Sequence, residues 1–380
     1  MDHKVYHRVI EKRFLGSLKP NHVTILYGAR GVGKTFFLKQ ISDKIKVPSL
    51  TLNGEDMATA SLLGERNIET YRSLVGQSKL VLIDEAQKIR NIELVLKLMV
   101  DELEGIGVIA SGSSNINPGI KSDDLLNGKK TTLYLFPIAQ KELAATENPH
   151  HSRAKLEERM IYGSYPEVLN LPEKQDKEEY LGELINSFLI KEVFTQEGIR
   201  NSSLIITLLK LMALRVGKEV SLDEIGKQIG INKLTVARYL QILSNAFVIH
   251  QVKGLRRNLG REVSKSSKWY FYDNGLRNTL ISNFNPLNVR SDADDLWENF
   301  LVGDRLKFQH YMHQSVYNFF WRTYQQQAID WIEERSGILH AFQFKWTLKK
   351  KVRAPSAFVA AYPGSTFDVI TPENYLSWIT

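Results

Sequence analysis

Residues 23–44, VTILYGARGVGKTFFLKQISDK, constrain this chain more than any other stretch. The short β-branched apolar run reads as a buried parallel strand. It enters Gly28-Ala29-Arg30-Gly31-Val32-Gly33-Lys34-Thr35, a full G-x-x-x-x-G-K-[ST] pattern; TFFLKQISDKI follows with helical spacing, and Gly28 through Phe36 are the expected nucleotide-binding residues. Strand, glycine loop and helix thus stand in the order a phosphate cradle needs. The glycines let backbone N–H groups turn inward, and the helix N-terminus adds partial positive charge. Lys34 reaches the β- and γ-phosphates and Thr35 ligates Mg²⁺.

A second piece is required, and KLVLIDEAQKI (79–89) supplies it. Its apolar strand ends in Asp84-Glu85. Asp84 is expected near Thr35 and the metal, with Glu85 placed to polarise a water toward the γ-phosphate. Adjacent carboxylates favour an ATPase over a passive nucleotide binder, with Glu85 and Lys34 as the catalytic pair. VPSLTLNG (47–54), GVIASGSSN (107–115) and TTLYLFPI (131–138) read as further strands. Ser111, Ser113 or Ser114 could sense the γ-phosphate from a strand end, with Ser113 the chosen candidate; an ordinary turn is the alternative.

The chain has 380 residues, enough for two to four domains, with pI near 9.3 and net charge +8. That balance favours a polyanion partner only if the charge is concentrated. KGLRRNLGREVSKSSK (253–268) and KKKVR (349–353) are the concentrated runs, although a solvated surface would read the same way. No cysteine is present, which excludes disulfides and thiolate zinc sites. No apolar run reaches the length of about 18 residues that crosses a bilayer. The charged start MDHKVYHRVIEKRF lacks the core of a secretory signal, so a cytoplasmic location without membrane association is expected.

The middle of the chain reads as helical. SRAKLEERMIYG and KEEYLGELINSFLIKEVF suit a small lid. Then Ser221 and Glu224 form a capping box, Gly230 ends that helix, and Asn232 caps a second one. In the second helix Leu234, Ala237, Leu240 and Leu243 form the apolar stripe. Two short helices around a glycine turn read as helix-turn-helix. FVIHQVKG and SKWYFYDNG then read as the strands of a wing around the basic run. Lys233, Thr235 and Arg238 would face a major groove, and Arg256, Arg257 and Arg261 would meet phosphates of double-stranded DNA. Packing against the ATPase core is the alternative. Asp273 is expected to cap the helix at NGLRNTL.

The tail carries an amphipathic helix, DLWENFLVGDRL, with Glu298. The stretches NFFWRT, AIDWIEE and LHAFQFKW alternate like a meander, with Asp330, Gln343 and Lys345 on its strands. His310 and His313 could share one helix face, but a surface pair is the reading.

The glycine loop, LIDEAQ, ASGSSN, LYLFPIAQKEL and YGSYPEV together resemble a prokaryotic AAA-type ATPase family. In that family a domain of unknown function follows the ATPase. The resemblance covers nearly the whole chain and implies ATP as the nucleotide. It places Gly163 and Pro166 near the adenine and matches Asp273, Gly275 and Leu276 to the stretch after the wing. The family's usual Gly-Arg before the last sheet strand is Gly128-Lys129 here, so an arginine finger is not carried over. The tail resembles the PD-(D/E)xK nuclease arrangement through Glu298, Asp330, Gln343 and Lys345, with neutral Gln343 at the middle acid.

The expected fold is therefore α/β, with an AAA-type (ASCE) P-loop NTPase parallel sheet over 1–140 and a helical lid over 141–200. A winged helix-turn-helix follows over 201–282, and an α/β restriction-endonuclease-like domain over 283–380. The expected activity is Mg²⁺-dependent ATP hydrolysis coupled to DNA binding. An ATP-gated metal-dependent DNA nuclease and a nucleotide-switched protein scaffold, docking partners through its tail, are the alternatives. An oligomer remains open.

Overall fold

The computed structural model describes residues 4–113, 126, 128–189, 202–255, 266–348 and 350–380. The chain divides into two compact units. One comprises His7–Phe136 with Asn245–Phe247; the other comprises Met1–Tyr6, Pro137–Ser244 and Val248–Thr380.

The first unit is built on strands β1 (His22–Tyr27), β2 (Ser49–Asn53), β3 (Leu80–Asp84), β4 (Gly107–Gly112) and β5 (Lys130–Tyr134). Their order is β2-β3-β4-β1-β5, and every neighbouring pair is parallel. Parallel strands covered on both faces read as continuous apolar runs. Accordingly β3 is buried over Leu80–Ile83 and β4 throughout, whereas edge strand β2 alternates. Helices α1 (Glu11–Ser17), α2 (Lys34–Lys44), α3 (Met57–Gly64), α4 (Ile68–Val75) and α5 (Ile92–Glu102) complete the unit. The strand order reverses at β1, which lies between β4 and β5. In open α/β sheets such a point leaves a crevice at the carboxyl ends of the strands. Phe247 packs into this unit's aromatic cluster, with its ring centroid 5.6 Å from Tyr134 and 6.4 Å from Phe136.

The second unit begins with short helices between Gln140 and Asn170, then α6 (Lys174–Glu183). Helices α7 (Ser202–Leu214), α8 (Leu222–Ile229) and α9 (Lys233–Asn245) follow. The Ser221 side chain accepts from Glu224 N, Gly230 closes α8 at φ 72°, and Asn232 accepts from Thr235 N at 2.8 Å. The caps stand where the sequence placed them, with the Ser221 half of the expected Ser221–Glu224 capping box formed. The apolar stripe of α9 differs, because Leu234 is 80% exposed while Val236, Tyr239, Leu240 and Leu243 are buried. Leu234 lies in the first turn, ahead of the point where α9 meets the core.

A single seven-stranded sheet holds the rest, in the order β12-β11-β10-β9-β7-β8-β6. Its strands are β6 (Glu219–Val220), β7 (Ile249–Gly254), β8 (Ser267–Phe271), β9 (Tyr317–Arg322), β10 (Ala328–Arg335), β11 (Ile338–Phe344) and β12 (Thr366–Ile370). The hairpin β7–β8 and the meander β9–β10–β11 appear where the alternating patterns placed them. The parallel pairing Lys253↔Phe319 and Gly254↔Phe320 then joins hairpin and meander edge to edge. The sheet is therefore continuous from β6 to β12.

Helix α10 (Asn274–Leu280) is capped by Asp273, whose carboxylate accepts from Gly275 N and Leu276 N, as expected. Helix α11 (Ala293–Tyr311) is not amphipathic; it is buried over most of its circumference, polar residues included. A helix covered on all sides needs partners for its polar groups. Arg305 donates to both Glu333 oxygens at 2.6 and 2.9 Å. Asn299 accepts from Phe271 N and donates to Phe271 O. The polar letters that suggested a solvated face instead tie α11 to the sheet.

Candidate nucleotide site

The glycine loop connects β1 to α2. Gly28 N donates to Gly112 O at 3.2 Å, and a Cβ at Gly28 would lie 2.1 Å from Leu135 O, so no side chain fits there. Gly31 and Gly33 take φ of 80° and 92°, which L side chains rarely adopt. Lys34 is buried and its ammonium donates to Gly28 O at 2.9 Å and Ala29 O at 3.2 Å. The cation is therefore held over the loop. Arg8, which the sequence reading passed over, braces the same loop: it donates to Val32 O at 2.9 Å and Phe136 O at 2.6 Å. Its only sequence signal was an arginine in an otherwise charged segment. Arg30 sits 3.7 Å from Glu55, and Phe36 is half exposed.

The carboxyl end of β3 lies two strands away, across β4. Thr35 Oγ1 donates to Asp84 Oδ2 at 2.6 Å, and Ser111 donates to Asp84 Oδ1 from β4 between them. Glu85 follows with φ 49°, a left-handed conformation that costs a non-glycine residue energy and concentrates at functional sites. The bend leaves room only for glycine on the next strand, since a Cβ at Gly54 would lie 2.4 Å from Glu85 O. Gln87 reaches back from the turn: Nε2 donates to Glu85 Oε2 at 2.6 Å and to Ser113 Oγ at 2.9 Å. Ser113 thus joins the site through Gln87, and Ser114 lies outside the described residues. A hydroxyl and carboxylates are hard oxygen donors, which suit Mg²⁺, and the loop, Lys34 and the α2 N-terminus suit phosphate oxygens.

Gly163 and Pro166 belong to the second unit. Gly163 takes φ 78°, and a Cβ there would lie 2.0 Å from the Asp273 carboxylate, which also accepts from Ser164 N at 2.7 Å. That carboxylate does more than cap α10; it fastens the YGSYP turn to it. Burial pushes the Asp273 carboxyl above its usual range, against the pull of Lys307 and its backbone donors. Lys129 pairs with Asp101 at 2.7 Å. His313 lies beyond the end of α11 at φ 53°, so the two histidines do not share a helix face.

On α9, Lys233 and Arg238 are exposed and Thr235 is half-buried; Lys233 lies 3.3 Å from Asp223. Arg256, Arg257 and Arg261 lie outside the described residues.

In the tail, Glu298 Oε1 accepts from Lys268 at 2.9 Å and from Tyr270 at 2.6 Å. Asp330 accepts from Gln343 and, at 2.9 Å, from Phe344 N. Burial and then Glu298 push the Asp330 carboxyl up to about 6, opposed by Lys268, the Phe344 N–H and Lys345. Burial alone would lower the Lys268 ammonium, but Glu298 and Asp330 hold it above its usual value. Lys268 and Tyr270, neither singled out from sequence, are what the tail carboxylates work against. Among the described residues no group of three or more His, Asp or Glu could hold a metal ion.

The comparisons with known proteins agree with the geometry of the first unit. Residues 20–144 match the family described as AAA domain. Residues 20–144 form an AAA-type P-loop ATPase domain. Residues 153–287 and 293–375 match two domains of unknown function, DUF8612 and DUF4143. An uncharacterized protein of Mycobacterium tuberculosis is 24% identical over 86% of this chain and 70% of its own length. Another, from Methanocaldococcus jannaschii, is 25% identical over 65% of this chain and 59% of its own. Among solved structures, a signal-transduction ATPase with a tetratricopeptide repeat sensor from Pyrococcus horikoshii is 13% identical. That match covers 82% of this chain and 48% of that one with a TM-score of 0.30, a likeness too loose to support any functional transfer. No helix among the described residues is long and apolar enough to cross a membrane.

Proposed function

We propose that this protein is a Mg²⁺-dependent ATPase whose nucleotide state is coupled to the binding of double-stranded DNA. The Thr35–Asp84 hydrogen bond, with Glu85 beside it, carries the first half. Thr35 and Asp84 would hold Mg²⁺, which when bound neutralises phosphate charge. Lys34 and the loop amides hold the β- and γ-phosphates, and Glu85 accepts the proton of the attacking water.

The second half rests on α8, α9 and the β7–β8 hairpin, which we read as a winged helix-turn-helix. The first two turns of α9 present Lys233, Leu234 and Arg238 outward. An exposed apolar side chain between two cations suits a groove that offers phosphates and thymine methyl groups. Arg256, Arg257 and Arg261 add phosphate contacts in this reading. Coupling is supported by chain continuity: the last residue of α9, Asn245, and the two that follow it, Ala246 and Phe247, belong to the first unit. The meander and α11 are read as a nuclease-like fold that has lost its metal site, because Asp330 and Glu298 are engaged by internal donors. A tail that docks a protein partner is the second reading, since the exposed Tyr317 and Ile338 lie at one end of that sheet.

Steady-state ATP hydrolysis with and without duplex DNA, at low and high salt, tests the proposal in wild type and Lys34→Ala. A Lys34-dependent rate that DNA raises and salt suppresses is expected. A real turnover indifferent to DNA would remove the coupling and leave an ATPase with another partner.

A further inference from the structure

We infer that Gln87 is a positioning residue that sets the hydrogen-bond polarity of the hydrolytic site, keeping Glu85 an acceptor and Ser113 a donor. The inference rests on the reading of Glu85 as the general base.

Gln87 sits in the 3₁₀ turn Ala86–Lys88 that follows the left-handed bend at Glu85. An amide nitrogen carries two protons and no lone pair to offer. Here one proton goes to Glu85 Oε2 and the other to Ser113 Oγ. The other end of the amide is informative: Oε1 is buried without a hydrogen-bond partner. Flipping the amide would set that oxygen against the Glu85 carboxylate, so the unsatisfied group marks the cost of holding this orientation.

Two consequences follow from counting donors. Glu85 has one oxygen tied down, which fixes the carboxylate plane and leaves Oε1 to accept from a water. Ser113 receives a hydrogen bond on one lone pair, so its own proton is left to donate elsewhere. Ser113 directly follows Gly112, whose carbonyl accepts from Gly28 N at the start of the glycine loop. A donor at that point favours an acceptor such as a phosphate oxygen. One amide therefore orients the base and the hydroxyl together, across two strand ends.

The test compares Gln87→Ala, Gln87→Glu and Glu85→Gln in the full chain. The readouts are kcat against pH and the affinity for ATP with Mg²⁺. Gln87→Ala should lower kcat about ten-fold or more while ATP affinity stays within about three-fold. Gln87→Glu is the discriminating variant. Ionised, it offers acceptors only, consumes the Ser113 proton and repels Glu85, so the loss near pH 8 should be greater. Two adjacent carboxylates retain a shared proton to higher pH. Once protonated, the introduced carboxyl regains one donor, so kcat of Gln87→Glu relative to wild type should rise at least about five-fold from roughly pH 8 to 6.

A merely structural role would not produce that profile. Wild-type kcat in both Gln87 variants, a Gln87→Glu profile parallel to wild type, or a ten-fold loss of ATP affinity in Gln87→Ala would each overturn the inference. Glu85→Gln separates the two levels. If it binds ATP without hydrolysing it while the Gln87 variants match wild type, only the inference fails. If Glu85→Gln still turns over, the reading of Glu85 as the base fails and takes the inference with it.

Discussion

Two pairs of carboxylates, Asp84 with Glu85 and Glu298 with Asp330, face opposite circumstances in the same chain. Among the described residues Asp84 accepts from hydroxyls and a backbone amide, and Glu85 from one neutral amide. None of these donors is a cation, so the charge stays available to a divalent ion and a water. Glu298 is instead bonded to Lys268 and Tyr270, and Asp330 to Gln343 and Phe344 N. The Glu298 charge is answered by Lys268 from within the protein, whereas burial beside Glu298 raises the Asp330 carboxyl and disfavours its charge. Glu85 and Glu298 thus become a reactive edge or an internal brace according to whether the nearest donor is a neutral amide or a cation, whereas Asp330, like Asp84, accepts from neutral donors.

The sharpest way to break the comparison is to neutralise one member of each pair. Glu85→Gln should lower kcat by about 100-fold or more, the size expected for a lost general base, while thermal unfolding of the first unit hardly moves. A variant that unfolds early would place Glu85 with the structural pair. Glu298→Ala should do the reverse. It strands Lys268 without its partner and should destabilise the second unit by about 3 kcal/mol, measured by urea denaturation, with ATP turnover in the absence of DNA unchanged. A stable variant would mean that Lys268 finds solvent or another anion.

Asp330 sharpens the contrast through pH. Its folded-state pKa of about 6 lies above the ordinary carboxyl value, so the folded protein binds more protons than the unfolded chain between roughly pH 4 and 6. Its contribution is fully present below the unfolded pKa and is lost as pH rises through the folded one. Asp330→Asn should remove that slope and stabilise the unit at pH 7 by roughly 1–2 kcal/mol, read as the difference between variant and wild-type unfolding from pH 4 to 7. A variant less stable than wild type at pH 7 would show that the charged form is favoured. The smallest effect belongs to Ser111→Ala. Losing one hydroxyl donor to Asp84 should cost about 1 kcal/mol of orientation and raise the Mg²⁺ concentration for half-maximal ATPase by a few fold. No change would leave Thr35 as the hydroxyl that matters to Asp84.

The first unit was legible because its signals are local. A glycine loop, an apolar strand and a carboxylate at its end each occupy a few consecutive residues, and the backbone conformation they demand is written in those residues. Arg8 and Gln87 were not legible. Each acts across a distance in sequence, Arg8 through a carbonyl 24 residues on and Gln87 through a hydroxyl 26 residues on. Neither belongs to a periodic pattern. The tail was read half correctly: alternation located three strands, but not the parallel seam between β7 and β9 or the burial of α11. A strand pattern reports which faces are covered, not which edge it will join.

By itself, then, the sequence determined the strand–loop–helix at Gly28–Thr35, the acidic strand end at Asp84, the caps at Ser221, Asn232 and Asp273, and the alternating strands of the tail. Each follows from backbone sterics or hydrogen bonding within a few residues. Only the tertiary structure decided that Gln87 links Glu85 to Ser113, that Lys268 answers Glu298, and that hairpin and meander share one sheet. Those outcomes depend on which donor or strand edge arrives from far along the chain, and a carboxylate's role is set by that arrival rather than by its own identity.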